Sequence, residues 1–253
     1  MIIYTEKRGD NSVSETLKVF IIVFFTVNAS VILTYNLIRL RLKYDFWKKQ
    51  REVNDFGKKA EKRVLTYIEE NFPNATVMSD VYLKTEKGLT EIDVVMICNR
   101  GIFIIETKSH HGYINTEGKY WTQRFRDKVV RFHSPTKQNL VHKIALWNLL
   151  KKRQSLTSLP VYTVTVFTSY DVYFTENVKD VIRLSYLARY VNARPVDKRM
   201  TEETIQNVQS LIQNYMETNR RRQLLHKKKV WKNNLKKKEY QVNKYSVKNQ
   251  TKK

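Results

Sequence analysis

The apolar pattern of the chain begins with one long uninterrupted run near the N-terminus. Residues 19–38 read VFIIVFFTVNASVILTYNLI and carry no charge. A helix needs about 20 mostly apolar residues to cross the hydrocarbon core of a bilayer. The run therefore predicts one transmembrane helix over 19–38, preceded by a short N-terminal segment, 1–18.

A cleaved signal peptide and the buried helix of a soluble domain are the alternatives for this run. A signal peptide fits less well, because the apolar stretch is long and no small-x-small cleavage pattern follows it. Basic residues favour the cytoplasmic side of a membrane, and Arg39, Arg41 and Lys43 open a basic linker, 39–53. We therefore expect a single-pass protein of the cell membrane, with its N-terminus outside and the remaining chain in the cytoplasm.

From residue 54 the pattern becomes that of a globular domain, which we expect to span 54–217. Asp55 is a candidate N-cap for a helix that ends before Pro73. The apolar positions of this helix recur at helical spacing, at Phe56, Ala60, Val64 and Ile68. Strand patterns follow it.

Three more helices are expected later in this domain. One is an amphipathic helix whose apolar face is marked by Leu140, Ile144, Trp147 and Leu150. After it, VYTVTVFTSYDVYF reads as strand and VIRLSYLARYV as a short strand or turn leading into a helix. A final helix is expected to begin at Thr201 and to run toward Met216.

Two apolar runs that flank residues 99–101 predict a β-hairpin. Alternate residues of a strand share a face, so Asp93 is expected to lie with Val95, and Glu106 with Lys108. Charged groups at the ends of apolar strands are costly to bury without partners. These side chains therefore either reach solvent at the strand ends or converge.

Convergence would create a site for phosphodiester hydrolysis. Two carboxylates on adjacent strands repel each other unless a cation lies between them, and oxygen ligands favour Mg²⁺ or Mn²⁺. Such a metal polarises a phosphoryl oxygen and lowers the pKa of a bound water. Lys108 is placed to orient that water or to stabilise charge on the phosphate. The Asp…Glu-x-Lys string alone is short enough to arise by chance.

Composition and charge narrow the classes of function. The single cysteine, Cys98, excludes an intrachain disulfide framework and Cys-rich zinc sites. The sequence contains neither GxxxxGK nor GxGxxG, which argues against a P-loop or a dinucleotide-binding turn. The net charge of +23 indicates an anionic partner, either nucleic acid or lipid. Residues 64–219 contribute only +4 of this charge, whereas residues 220–253 contribute +13.

The basic tail, 218–253, is predicted to be disordered alone, or helical around 220–240 when bound. It would contact nucleic acid or the anionic inner leaflet, or act only as a solvating tail. A bias toward Lys, Asn, Ile and Tyr favours a bacterial or mobile-element source with an AT-rich genome.

Basic and aromatic residues alternate between Lys119 and Lys137, where Trp121, Phe125 and Phe132 lie among arginines and lysines. This mixture predicts a phosphate-contacting edge with stacking groups, or equally a strand pair with a solvated face. Four histidines of the domain lack zinc spacing and are expected at the surface or in contact with phosphate; they are His110, His111, His133 and His142.

Several blocks of the sequence resemble the nuclease-related domain, NERD, in the order of that family. They are GKKAE at 57–61, EID at 91–93, GIFIIETKSHHGYI at 101–114, Trp121 and SPTKQN at 134–139. The resemblance covers about residues 54–150. It implies an α/β, restriction-endonuclease-like fold, with a mixed sheet flanked by helices.

The resemblance also implies roles for single residues. Asp93 and Glu106 match the metal carboxylates of the family, and Lys108 matches its catalytic lysine. Glu61 matches the helix acid that completes the metal site, and Gln138 matches the glutamine at the head of the next helix. We therefore predict Mg²⁺- or Mn²⁺-dependent hydrolysis of nucleic acid, DNA rather than RNA. The alternatives are a membrane-tethered nucleic-acid-binding module without catalysis, or a scaffold.

Overall fold

The structure is a computed structural model that describes residues 11–126 and 128–230. The chain divides into two compact units, Met1–Asp55 and Phe56–Lys253. The helices are α1 (Asn11–Asn71), α2 (Pro135–Leu150), α3 (Leu187–Asn192) and α4 (Glu202–Tyr215), with 3₁₀ turns at Gln154–Leu156 and Leu184–Tyr186. The strands are β1 (Thr76–Thr85), β2 (Gly88–Cys98), β3 (Gly101–Lys108), β4 (Gly112–Asn115), β5 (Tyr120–Phe125), β6 (Lys128–His133), β7 (Val161–Phe167), β8 (Val172–Phe174) and β9 (Val181–Arg183).

In the first unit, α1 contains a segment that meets the length and composition criteria for a membrane span, Leu17–Asp45. Its most apolar window has a mean hydropathy of 2.1. Large apolar side chains along it are exposed, as at Phe20 and Leu42. This exposure argues against the buried helix of a soluble core, while a signal sequence near the N-terminus meets the same criteria.

The helix predicted to begin at Asp55 does not begin there. Because α1 is already helical before this residue, its backbone needs no N-cap at that point. The expected apolar stripe holds for Ala60, Val64 and Ile68, which are buried, but Phe56 is 64% exposed. The helix ends at Asn71, before Pro73, as predicted.

The second unit is built around a five-stranded sheet in the order β1-β2-β3-β7-β9. The β1–β2 and β2–β3 pairs are antiparallel, whereas the β3–β7 and β7–β9 pairs are parallel. The predicted hairpin is present, with Cys98 paired to Gly101. Gly101 has a φ of +134°, and a Cβ there would lie 2.7 Å from the carbonyl oxygen of Pro160. Only glycine fits this turn without strain.

Helices cover both faces of this sheet. On one face, residues of α2 and α4 such as Leu146 and Ile212 pack with Ile104 in one core. On the other, Val64 of α1 and Leu187 of α3 pack into a second core. The predicted α/β class, a mixed sheet flanked by helices, is therefore confirmed, and the architecture is consistent with a restriction-endonuclease-like fold.

A smaller sheet follows the main one, in the strand order β6-β5-β4-β8. Here β4, β5 and β6 form an antiparallel meander, while β8 adds parallel to β4. One face of this sheet is closed by a third core made of Ile114, Trp121, Phe167 and Val172. Since β4 begins four residues after β3 ends, the small sheet starts beside the end of a central strand.

The apolar face predicted for α2 is wrong at three of its four positions, whereas Leu150 is buried as predicted. Leu140, Ile144 and Trp147 are 57%, 48% and 45% exposed. The side of α2 that faces the sheet instead contains Asn139 and His142 together with apolar residues. Polar residues on this buried side have polar partners in the sheet, so hydrophobicity alone pointed to the wrong face.

The chain returns to the edge of the main sheet after α4. The side chain of Thr201 caps α4 by accepting a hydrogen bond from the Thr204 N–H, and the Glu217 N–H donates to the carbonyl oxygen of Tyr82 at 2.9 Å. Residues 220–230 are helical, within the stretch that the sequence predicted to be helical around 220–240 when bound and disordered when alone. Lys227 of this helix forms an ion pair with Glu91 at 2.8 Å. The rest of the predicted tail, 231–253, lies outside the described residues.

Candidate active site

The candidate site lies where two central strands separate. The pairing of β2 with β3 ends at Val94 and Ile105, while β3 continues beside β7 as far as Lys108. Beyond the last pair, the Thr107 N–H donates to Oδ2 of Asp93 at 2.8 Å. A carboxylate thus replaces the backbone acceptor that β2 no longer provides, and it fixes Asp93 beside the end of β3.

The alternation used to place Asp93 with Val95 is irregular at this point of β2. Ile92 and Val95 pack into the same core, so the two-residue period of β2 breaks between them. On the neighbouring strand, Asp80 has a left-handed φ of +51°, and its pair with Asp93 is missing although the register is the same on both sides. Beside this irregularity, the Asp93 side chain reaches the Thr107 N–H at the end of β3.

Glu106 is the centre of the site and is only 3% exposed. Its Oε1 accepts a hydrogen bond from Nζ of Lys108, two residues along the same strand. Its Oε2 lies 3.0 Å from Nε2 of His142 on α2. Both carboxylate oxygens therefore have a buried partner, as the cost of burying a charge requires.

His142 links Glu106 to a third element. Its Nδ1 lies 2.9 Å from Oγ1 of Thr90 on β2, and both residues are buried. The chain Thr90–His142–Glu106 thus ties β2, α2 and β3 together at the site. His142 was expected at the surface or against phosphate, and its burial overturns the surface expectation.

The pKa values follow from burial and from these contacts. Burial alone would raise the pKa of Glu106, but Lys108 and His142 outweigh it and lower this pKa to about 2. Burial would lower the pKa of Lys108, but Glu106 and Asp93 outweigh it and raise this pKa. At neutral pH the two residues are therefore a carboxylate and an ammonium group.

Asp93 and Glu61 behave differently from Glu106. Burial, followed by the charge of Glu106, raises the pKa of Asp93 well above its ordinary value, although Lys108 and the Thr107 N–H act against the shift. Burial also raises the pKa of Glu61, and the nearby charges of Asp80 and Glu91 raise it further. If Glu61, Asp93 and Glu106 were all ionised, their three negative charges would exceed the positive charge of Lys108, and a further cation would offset this surplus.

This surplus fits a divalent cation at Asp93 and Glu106. Mg²⁺ usually takes one or two carboxylates and completes its coordination with water and substrate phosphate. Across residues 11–126 and 128–230, no three His, Cys, Asp or Glu side chains form a group able to hold a metal ion. Of the three predicted ligands, Asp93 and Glu106 are therefore the two that lie together at the end of β3. The ligand role of Glu61 stays a prediction.

Gln138 is half-buried in the first turn of α2, where its backbone N–H bonds to Ser134. In the described part of the chain, its side chain forms no hydrogen bond with the carboxylates. The next residue, Asn139, is buried and donates to Oγ1 of Thr165 at 3.2 Å, while its Oδ1 has no partner in the described structure. Asn139 therefore points polar atoms into the sheet near the site, a feature that the sequence did not indicate.

His110, expected at the surface or against phosphate, packs its ring on Phe132, with ring centroids 3.9 Å apart. Burial, and then the charges of Lys108 and His111, lower the pKa of His110 to about 3. The ring is therefore held neutral at physiological pH when no anion is bound, and contact with phosphate stays a prediction.

Comparison with known proteins supports the resemblance seen in the sequence. Residues 56–168 match the family model of NERD, the nuclease-related domain. This NERD segment contains the whole candidate site, from Glu61 to His142. An uncharacterized protein from Bacillus anthracis is 30% identical over 109 residues, which are 42% of this chain and 50% of that protein. The chain thus spans about half the length of this relative. No solved structure matches the chain.

Proposed function

We propose that the NERD segment hydrolyses phosphodiester bonds of nucleic acid, DNA in preference to RNA, with Mg²⁺ or Mn²⁺. One observation carries this proposal: Asp93, Glu106 and Lys108 gather where β2 and β3 separate, inside a segment that matches a nuclease-related family. Two carboxylates would hold a cation here, and that cation together with the protonated lysine would suit charge stabilisation at a phosphate.

The residues have distinct roles in this proposal. Asp93 and Glu106 would hold the metal, and Glu61, which forms no metal-binding group with them in the described structure, would have to move toward them to act as a third ligand. The bound cation would supply positive charge to the phosphoryl oxygens. Lys108 is protonated at neutral pH, so its Nζ can donate to a water or to a phosphate oxygen. His142 and Thr90 hold the Glu106 carboxylate in place, and Gln138 would contact the substrate at the head of α2.

A second function is favoured by the contacts of Glu106. Because Lys108 and His142 already occupy both oxygens, the network also suits a closed structural ion pair. A nucleic-acid-binding or scaffold module without catalysis would need no more than this. The two functions differ in whether a metal competes with Lys108 for the carboxylate.

We also propose that the protein is anchored in a membrane. The apolar segment Leu17–Asp45 would anchor the chain at the cell membrane of a bacterium, with the N-terminus outside and the NERD segment in the cytoplasm. Arg39, Arg41 and Lys43 support this orientation, and anionic lipid would be attracted to the basic flank and tail. Protease added to intact cells should leave the NERD segment uncut, and its removal would contradict this orientation.

Cleavage assays on the full chain in mild detergent test the hydrolysis. Single- and double-stranded DNA and RNA are incubated with Mg²⁺, Mn²⁺ or chelator, using wild type, Asp93→Asn, Lys108→Ala and the exposed control Glu176→Gln. We expect metal-dependent cleavage that falls about 100-fold or more in the two site variants, as loss of a charge-stabilising group predicts. Cleavage that persists in both variants would refute the assigned roles. Binding without cleavage by wild type would support the second function.

A further inference from the structure

The small sheet has one exposed face that is rich in aromatic and cationic side chains. Tyr173 of β8 pairs with Tyr113 of β4, and Tyr113 pairs with Arg124 of β5, so the three lie in one row across the sheet. Tyr113 is 65% exposed and Tyr173 is 50% exposed. The opposite face contains Ile114 and Trp121 and is buried. The exposed row is therefore free of core packing.

Two tyrosines in this row form a stacked pair, with ring centroids 5.3 Å apart and planes inclined by 28°. The guanidinium of Arg183 lies 5.7 Å from the Tyr173 ring centroid. On the same face, the guanidinium of Arg131 lies 5.1 Å from the centroid of the Tyr120 ring. Flat π surfaces thus alternate with delocalised cations across what we name the Tyr–Arg face: Tyr113, Tyr120, Arg124, Arg131, Tyr173 and Arg183.

The charge of the small sheet selects an anionic partner. Its four strands contain Arg124, Lys128 and Arg131 and no acidic residue. Anionic lipid would meet the charge, but a membrane surface favours several large apolar side chains that insert into the acyl boundary, and Val129 is the one aliphatic side chain that the four described strands place on this face. Exposed ring faces beside guanidinium groups instead match the unstacked bases and phosphates of a single strand.

A groove extends this face past β8. It has a volume of about 390 Å³ and is lined on one side by Tyr173, with Arg183 and Tyr186 among its other walls. The volume lies in the range of sites that accept small organic groups. A nucleobase stacked on Tyr173 would therefore have room beside it.

We propose that the Tyr–Arg face binds single-stranded nucleic acid, with bases stacked on Tyr113 and Tyr173 and phosphates on Arg124 and Arg131. This inference names the strand form that the NERD segment takes and so rests on the proposed function, although binding itself needs no cleavage. Because β4 begins four residues after Lys108, its first Cα lies within about 14 Å of that residue. A strand on this face would therefore run close to the candidate site.

Fluorescence anisotropy on the full chain in mild detergent tests the proposal. A labelled oligothymidylate and a duplex of equal length are titrated in chelator, so that cleavage does not interfere. The variants are Tyr113→Ala and Tyr173→Ala, with Tyr113→Phe and Tyr173→Phe to keep the ring. Tyr215→Ala is the matched control. Tyr215 is 49% exposed and has a cation, Lys152, over its ring, as Tyr173 has Arg183, but it lies on α4 and outside the Tyr–Arg face.

Each alanine variant should weaken the Kd for the single strand by about 5- to 150-fold, the range for losing one stacking ring. The phenylalanine variants and Tyr215→Ala should stay within about twofold of wild type, and the duplex should bind more weakly than the single strand. Unchanged single-strand binding by both alanine variants would overturn the proposal. So would equal effects of Tyr215→Ala, which would indicate non-specific attraction.

Two further arms separate this proposal from its neighbours. If the alanine variants bind vesicles containing phosphatidylserine more weakly than wild type does, while their single-strand binding is unchanged, the face binds lipid and the proposal fails. If wild type binds as expected but does not cleave with Mg²⁺ or Mn²⁺, the hydrolytic function fails and the binding face stands. If cleavage of single strands is unaffected by both alanine variants, hydrolysis stands and the binding face fails.

Discussion

The buried chain Thr90–His142–Glu106 makes a quantitative stability prediction. His142→Ala removes the partner of Glu106 Oε2 and the partner of Thr90 Oγ1 at the same time. Both groups lie away from water, with Glu106 3% and Thr90 7% exposed. Water therefore replaces neither contact without entering the core between α2 and the sheet.

The expected cost follows from the two contacts. A hydrogen bond to a charged group contributes about 1.5–3 kcal/mol, and one between neutral groups contributes about 0.5–1.5 kcal/mol. Their sum is about 2–4.5 kcal/mol. A central value of about 3 kcal/mol lowers the Tm by about 6–12 °C for a folded unit of this size. Thr90→Val removes only the neutral contact and should cost about 0.5–1.5 kcal/mol.

Thermal unfolding of the full chain in detergent, followed by tryptophan fluorescence, measures these effects. Lys143→Ala is the matched control, since Lys143 is the exposed neighbour of His142 on α2, and it should change stability by no more than about 0.5 kcal/mol. The double variant Thr90→Val/His142→Ala should be less destabilised than the sum of the single variants, because both remove the same contact. Additive losses, or His142→Ala behaving like the control, would refute the buried network.

Three other predictions concern charge, ligand and backbone. Burial and Glu106 raise the pKa of Asp93 above 3.8. The stabilising contribution of Asp93 is therefore complete below pH 3.8 and is lost as the pH rises through the raised pKa. In chelator, Asp93→Asn should raise the Tm at pH 8, by an amount that shrinks toward pH 4. Mg²⁺ at 100 times its Kd should stabilise wild type by about 2.7 kcal/mol, and Asp93→Asn should abolish this Tm shift; an equal shift in both proteins would contradict the site. Gly101→Ala should cost about 1–3 kcal/mol in thermal unfolding because of its positive φ, and a neutral result would contradict the turn geometry.

The sequence predicted the parts of the site that depend on local pattern. Two apolar runs around a short turn were enough to pair β2 with β3, and hence to bring Asp93 near Glu106 and Lys108. The α/β class followed from family blocks whose order matched the chain. These features depend on residues close in sequence, or on a pairing that one hairpin fixes.

The parts that were missed depend on long-range partners. His142 and Asn139 are polar residues on the buried side of α2, and nothing local distinguishes them from surface positions. Their partners, Glu106 and Thr165, lie on β3 and β7 and become neighbours only in the folded sheet. The break in alternation at Asp93 lies beside the left-handed Asp80 of β1, which the pattern of β2 alone does not reveal.

The helix at 220–230 interacts electrostatically with acidic residues of the NERD segment. Lys227 lies outside residues 56–168, yet its ammonium group pairs with Glu91 and opposes the rise in the pKa of Glu61. A divalent cation near Asp93 and Glu106 would act on the same group of acids, because the charge of Glu106 also reaches Glu61. The positive charge that this helix contributes and the charge of a metal therefore offset one acidic surplus. It follows that the NERD match alone does not contain all the cations that set the electrostatics of its site.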